Sequence, residues 1–276
     1  MSTTFAPITP HEASTPTPLL RRFGSLVRAE FVLLLRNRIQ LFTALALPLG
    51  VPFLMLPLKN EGLLEGAGAA AATGTMMVFL LLFVVYYNLT CSYVARREER
   101  VLERLRAGTV PQPLVLASTA APAVVLALVQ TALMCAIGAL VLDLPAPVNA
   151  PLLVVAVVLA VGAFIGLALI TTTFTKNVEA AQITTLPIVS VCILASGAAI
   201  PLDFLPQFVQ GLLSVVPSAA LVELTSLAWL GITDDGARVD AFGALTEAWL
   251  PALVLAAWCW IGVNAVEKRF RWSPRG

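Results

Sequence analysis

An all-α integral membrane fold with six transmembrane helices follows from three observations on the chain. Of its 276 residues, 59% are apolar and only 12% are charged, which is far more apolar surface than one compact soluble core of this length hides. The apolar residues fall into charge-free runs, and a bilayer-crossing helix needs roughly 20 such residues at 1.5 Å rise each. The basic residues gather on one side of these runs, as the preference of Lys and Arg for the cytoplasmic face requires.

The charge-free runs are 39–58, 66–95, 107–142, 144–175, 180–202, 204–222 and 248–266. The longer ones hold their own loops, since Gly108-Thr-Val-Pro-Gln-Pro113 and Leu144-Pro-Ala-Pro-Val-Asn149 are turn chemistry. Seven crossings would put Lys268, Arg269, Arg271 and Arg275 outside, against the positive-inside rule. The run 204–222 is the weakest: Pro201, Pro206 and Pro217 bracket it, Gly211 and Ser214 interrupt it, and Glu223 closes it. It is read as an external re-entrant hairpin between the fifth and sixth spans, with Ser196, Gly197, Pro201, Pro206, Leu212, Leu213 and Pro217 as its marker residues. Six spans then place 15 of the 17 basic residues inside and leave only Lys59 and Arg238 on an otherwise acidic outer face. The expected layout is a disordered cytoplasmic tail (1–18), an amphipathic interfacial helix (19–38), a six-helix transmembrane domain (39–266) and a basic cytoplasmic tail (267–276). Both termini are expected in the cytoplasm and the chain in the cell membrane. The first apolar run starts too far in, and is too long, for a cleaved signal peptide.

Several functions drop out on composition. A formal charge of +1 offers nothing to grip nucleic acid. The one histidine, His11, lies in a Thr/Pro-rich tail, and Cys91, Cys135, Cys192 and Cys259 all lie within apolar stretches as small packing residues. No metal site, Ser-His pair, Cys-His pair or HExxH motif can be assembled.

Two cytoplasmic segments carry more information. In 19–38, Leu19, Leu20, Phe23, Leu26, Val27, Phe31 and Leu34 recur at helical spacing, with Arg21, Arg22, Arg28 and Arg36 mostly opposite. This interfacial helix reads equally as a lever along the inner leaflet and as a basic anchor. Between the second and third spans, eight of the eleven residues 96–106 are charged, with both signs present. Leu102 and Leu105 share one face, and Glu98, Glu99 and Glu103 accompany the arginines, a short mixed-charge knob suited to another protein's groove. Its plainer reading is a solvated hairpin tip.

Residues 97 to 110, Arg-Glu-Glu-Arg-Val-Leu-Glu-Arg-Leu-Arg-Ala-Gly-Thr-Val, resemble the coupling-helix signature of ABC-2 type permeases. These are membrane subunits of the drug-and-polysaccharide exporter class of ABC transporters, daunorubicin-exporter-like proteins among them. A second stretch resembles that family's fifth-span motif, external hairpin and following proline: Thr175-Lys-Asn-Val-Glu-Ala-Ala-Gln182, Ser196-Gly-Ala-Ala-Ile-Pro201, Leu205-Pro206 and Val216-Pro-Ser-Ala-Ala-Leu-Val-Glu223. The resemblance implies a transporter of two permeases, identical or related, and two ATPase subunits, docked through Arg97, Glu98, Glu99, Arg100, Leu102, Glu103, Arg104, Leu105 and Arg106. No G-x-x-x-x-G-K-[ST] loop occurs in the chain. ATP and Mg are therefore expected on a separate ATPase, with no cofactor and no enzyme site in this chain.

The resemblance also implies that the second and fifth spans line a central path. The candidates there are Phe79, Phe83, Tyr86, Tyr87 and Asn88 in the second span, and Thr184, Thr185, Pro187 and Ser190 in the fifth; packing between helices is an equally good reading of each. A charge-free aromatic path suits export of a lipophilic or amphiphilic, antibiotic-like compound across the bilayer, with a lipid-linked glycan as the alternative. An ion-coupled carrier is the rival from another class, but its usual ionisable group deep in the membrane is missing from the spans. The prolines at 48, 52 and 57 preclude a straight first span, leaving either a kink held by neighbours or a mobile gate.

Overall fold

The computed structural model describes residues 19–62, 65, 67–99, 111–200, 202–233 and 236–269. Among them there is no strand, only one isolated antiparallel bridge between Ile232 and Arg238. The helices are α1 (Leu19–Arg36), α2 (Arg38–Leu54), α3 (Leu56–Asn60), α4 (Ala67–Leu81), a π-helical stretch (Leu82–Tyr87), α5 (Asn88–Glu98), α6 (Gln112–Val141), α7 (Ala150–Phe174), α8 (Val178–Ala195), a 3-10 turn (Leu202–Phe204), α9 (Gln207–Leu213), α10 (Pro217–Leu230), α11 (Ala241–Glu247) and α12 (Trp249–Arg269).

Sequence chemistry sets many of the boundaries. Asn149 Oδ1 accepts from Leu152 N at 3.0 Å, Asn177 Oδ1 from Ala180 N at 2.8 Å and Asp240 Oδ1 from Gly243 N at 2.8 Å, capping α7, α8 and α11. Prolines open α6, α7 and α10, where the missing N–H costs nothing.

Four helical stretches, 72–98, 113–141, 150–174 and 178–195, are each long and apolar enough to cross a membrane. The pairs α9–α10 and α11–α12 also qualify when each is taken as one broken span, and they are bent by 86° and 49°. The expected first span is realised as the shorter α2, followed after Met55 by α3. Inside α2, Pro48 has no N–H for the carbonyl of Ala44, and the Gln130 side chain of α6 supplies a donor to that oxygen at 2.7 Å. The carbonyl that Pro48 leaves without a helical donor is thus satisfied from a neighbouring helix.

The contacts sort the elements into two ends. At one end lie α1, the end of α5, the start of α6 and the α7–α8 turn, with Arg36, Arg38, Arg96, Arg97 and Lys176. At the other end, Lys59 reaches Asp143 at 2.7 Å and the Val141 carbonyl at 2.7 Å. There too, the α6–α7 connection is stitched to the end of α10: Val148 N donates to Trp229 O, Asn149 N to Ala228 O, and Trp229 Nε1 to Pro145 O at 2.8 Å.

The segment read as closing at Glu223 continues. α10 runs on to Leu230 and stops at Gly231, which sits at φ 62°, where an added Cβ would lie 2.4 Å from Val239 O. Glu223 is therefore inside a helix and half-buried. Most of α10 is buried against α4 and α7. It begins beside Trp258, partway along α12, whose Nε1 donates to Val215 O at 2.8 Å, and it finishes at the Lys59 end, so it does not run the length of the bundle.

The closest helix crossing is between α7 and α12. Gly162 and Gly166 face Cys259 and Gly262, and a Cβ built on Gly262 would lie 2.2 Å from Gly166 Cα. Small residues four apart let backbones meet at this distance.

Candidate functional site

The last turn of α5 carries three consecutive charged residues, and each engages a different helix. Arg96 points to α1: its Nε and a terminal nitrogen donate to the two carboxylate oxygens of Glu30 at 3.1 and 2.9 Å. Both partners are largely buried, at 13% and 14% side-chain exposure, so this forked pair is worth more than a surface ion pair. Thr119 of α6 donates to the same carboxylate at 3.3 Å, and Glu99 sits 3.3 Å from the other side of Arg96. Arg97 points to α7: with 1% exposure, its guanidinium donates to the carbonyls of Thr172 at 2.7 Å, Thr175, and Lys176 at 3.3 Å. Those oxygens belong to the C-terminal turn of α7 and the residues after it, where helical carbonyls lack partners and a positive charge meets the negative end of the dipole. Glu98 points to α8, accepting from Val178 N at 3.2 Å at that helix's exposed first turn. One turn of helix thereby grips α1, α7 and α8, immediately before residues 100–110.

Of the expected docking residues, Arg97 has its side chain inside the bundle, while Glu98 and Glu99 are exposed. Arg100, Leu102, Glu103, Arg104, Leu105 and Arg106 lie outside the described residues. Glu30 is the partner of Arg96 that periodicity alone passes over. It falls on the apolar stripe of α1 between Val27 and Leu34, and an acidic side chain on such a stripe is the signal that would have found it.

The second-span candidates separate by face. Phe79, Phe83 and Tyr87 form a half-exposed stripe, with ring centroids 6.0 and 6.4 Å apart. Tyr86 is turned inward, its hydroxyl 3.2 Å from Thr171 Oγ1, and Asn88 is buried. The π-helical stretch lies here: the backbone N–H of Asn88 donates to Phe83 O, five residues back, and its side-chain Nδ2 reaches the same oxygen at 3.0 Å. Such wide turns often mark functional positions. In α8, Thr184 bonds Thr175 at 2.9 Å and Thr185 is buried on the carbonyl of Ala181 at 2.8 Å, whereas Pro187 and Ser190 are exposed. Pro187 and Ser190 are thus exposed, Phe79, Phe83, Tyr87 and Thr184 half-buried, and Tyr86, Asn88 and Thr185 buried.

Among the hairpin residues, Ser196 is buried with its hydroxyl on Ile193 O, Gly197 has φ 73°, Pro206 precedes α9, Leu212 is exposed, and Leu213 and Pro217 are buried. Pro201 lies outside the described residues.

Two cavities border Arg96. One of about 40 Å³, between Glu30, Ser92 and Thr119, has room for a single water. The other, of about 470 Å³, opens between the α1–α2 junction, α5 and the first turns of α8.

Apolar helices of bilayer-crossing length, with the charged groups drawn to their ends, define a multi-pass helical membrane protein. Residues 21–228 match the family described as ABC-2 type transporter, and the chain belongs to that family. No curated protein matches the chain.

Proposed function

We propose that this chain is a permease subunit that exports a lipophilic or amphiphilic, antibiotic-like compound, driven by ATP that a separate ABC ATPase subunit binds with Mg and hydrolyses. A lipid-linked glycan is the alternative cargo. Two permeases, copies or relatives, share the transporter, and the ATPase docks on 97–106, with Arg97 anchoring that segment from inside the bundle.

The observation that carries this reading is the grip of Arg96, Arg97 and Glu98 on α1, α7 and α8. A displacement of the segment following Glu99 moves all three helices together, which is what converting a partner's hydrolysis into alternating access requires. In this reading α1 is the lever and its Glu30–Arg96 pair the pivot. The half-buried stripe of Phe79, Phe83 and Tyr87, with Pro187 and Ser190, faces the cargo. α9 and α10 form a re-entrant element that narrows its exit.

Glu103→Lys combined with Leu105→Glu is expected to abolish both transport and co-purification of the ATPase, while the permease still inserts. Normal recovery of the ATPase by the double variant would overturn the docking assignment.

Both termini and the Arg96 end are cytoplasmic in this reading. A cysteine replacing Arg238 should then react with a membrane-impermeant maleimide in intact cells. Reaction only after permeabilisation would reverse the orientation.

A further inference from the structure

We propose that the cargo of this permease carries a positive charge, and that Glu223 of α10 is the specificity-determining residue that receives this charge within the bundle, near its Lys59 end. The proposal deepens the export reading and rests on it in treating the bundle as the route of a lipophilic cargo.

Glu223 is set apart by its position. Outside α1, it is the only charged residue among the described ones that lies more than one turn from both ends of its helix. It stands seven residues before Leu230, about 10 Å in from the Lys59 end along α10. Val222, next to it, packs on Gly74 of α4, where an added Cβ would lie 2.7 Å from the valine side chain. Gly74 is itself seven residues from the start of α4 at Ala67, so both helices put this level at the same depth. A carboxyl at such a depth is costly to keep and is characteristically tied to function.

The surroundings of Glu223 suit a cargo. The half-exposed residues of α10 are Ala219, Val222, Glu223 and Leu230, which fall on one helical face, while the rest of the helix is buried. The carboxyl therefore borders space that its own chain does not fill. Five residues further along α4 from Gly74, about 8 Å deeper, Phe79 begins the half-buried stripe that continues through Phe83 to Tyr87. Aromatic faces attract a lipophilic cation and repel an anion of the same shape.

The sign of the charge follows from the balance at this end. The segments joined there, 59–65, 142–149 and 202–248, hold nine acidic residues against only Lys59 and Arg238. Lys59 is taken up by Asp143 at 2.7 Å and by the Val141 carbonyl, so the excess is negative however Glu223 is hydrogen-bonded. A second copy of the chain would bring the same excess. Acids on the loops are screened by water and salt, but a carboxyl inside the bundle is screened much less. A cation that arrives with the cargo is the group that complements it.

The test is equilibrium dialysis of the purified full-length chain in a neutral detergent against tetraphenylphosphonium and tetraphenylborate, with protein-free micelles as the blank. The two ions share shape and apolar surface and differ in charge. Tetraphenylphosphonium should bind more tightly. Glu223→Gln should weaken it about fivefold, the scale of one partly exposed ion pair, without weakening tetraphenylborate, and Glu223→Asp should keep most of the preference. Glu61→Gln, which removes an exposed acid at the same end, should change neither ion. Equal or tighter binding of tetraphenylborate by the wild-type chain would overturn the cationic cargo, whatever the variants do. Equal loss of both ions in Glu223→Gln would make the residue structural, and equal loss of the cation in Glu61→Gln would make the attraction diffuse. Either result, or an unchanged Glu223→Gln, overturns the role of Glu223. Displacement of tetraphenylphosphonium by magnesium at constant ionic strength would make this an inorganic-cation site and overturn the cargo assignment. None of these outcomes bears on recovery of the ATPase, so the cargo class and the docking reading fail separately.

Discussion

Replacing Gly262 with leucine is expected to leave little or no folded protein, the largest effect of any single substitution considered for this bundle. α7 and α12 touch backbone to backbone. A Cβ on Gly262 would sit 2.2 Å from Gly166 Cα, and a Cβ on Gly166 would sit 2.9 Å from Trp258 O and 3.1 Å from Gly262 Cα. Neither neighbour is a side chain that can turn away, so the axes must move apart. Within a bilayer, lipid tails are as apolar as leucine, so no hydrophobic driving force makes up for the looser packing along the crossing. The cost therefore exceeds the ~1–3 kcal/mol usual for overpacking a soluble core. Gly162→Ala is expected to be much milder, because its new methyl meets only the Cys259 thiol at 2.7 Å, a side chain with room to rotate. Gly211→Ala, which meets nothing within 4 Å, is the neutral control. Thermal denaturation followed by size-exclusion chromatography ranks the three. A Gly262→Leu protein that melts with wild type would show that the helices do not cross there.

That crossing has a signal in the sequence which the reading by apolar runs passed over: Gly162-Ala-Phe-Ile-Gly166 has small residues four apart inside an apolar run. The bilayer-length runs and the helix over 19–36 were legible for the same reason: burial in lipid or on a neighbour imposes a periodicity that one helix carries by itself. Partner choice is what a periodicity lacks. Arg96 and Arg97 are adjacent and alike in sequence, yet one forks onto Glu30 and the other caps α7, because successive residues on a helix point about 100° apart and meet different neighbours. The boundary at Glu223 misleads for another reason. A charge marks where an apolar run ends in a window, but α10 is ended by the left-handed conformation that Gly231 adopts, and Glu223 stays half-buried within the helix. The division of the aromatic cluster into a half-buried stripe and the inward Tyr86 depends on the π-helical stretch, which shifts the register of everything before it. No residue type announces such a turn, so the cluster could be named from sequence but not oriented.

Arg97→Leu is expected to destabilise the permease by about 3–5 kcal/mol, the usual cost of breaking a buried charge-assisted arrangement from one side. The guanidinium serves carbonyls of Thr172, Thr175 and Lys176, which have no other helical donors at the end of α7. Its loss leaves several acceptors unsatisfied in a water-poor site, at about 1–3 kcal/mol each before relaxation. Arg97→Lys should fall between, since an ammonium lacks the planar fork that spans the turn. Glu98→Ala, whose exposed carboxylate caps only Val178 N at 3.2 Å, should cost about 1 kcal/mol or less. The two arginine variants also separate anchoring from docking. If Arg97 anchors the segment to α7 and α8, a complex assembled with Arg97→Lys still recovers its ATPase but moves less cargo per ATP hydrolysed. If Arg97 instead contacted the ATPase directly, recovery of the ATPase would fall first. Thermal midpoints of the purified permease, with the ratio of transport to hydrolysis in the assembled complex, distinguish these outcomes. An Arg97→Leu midpoint equal to wild type would remove the anchor altogether.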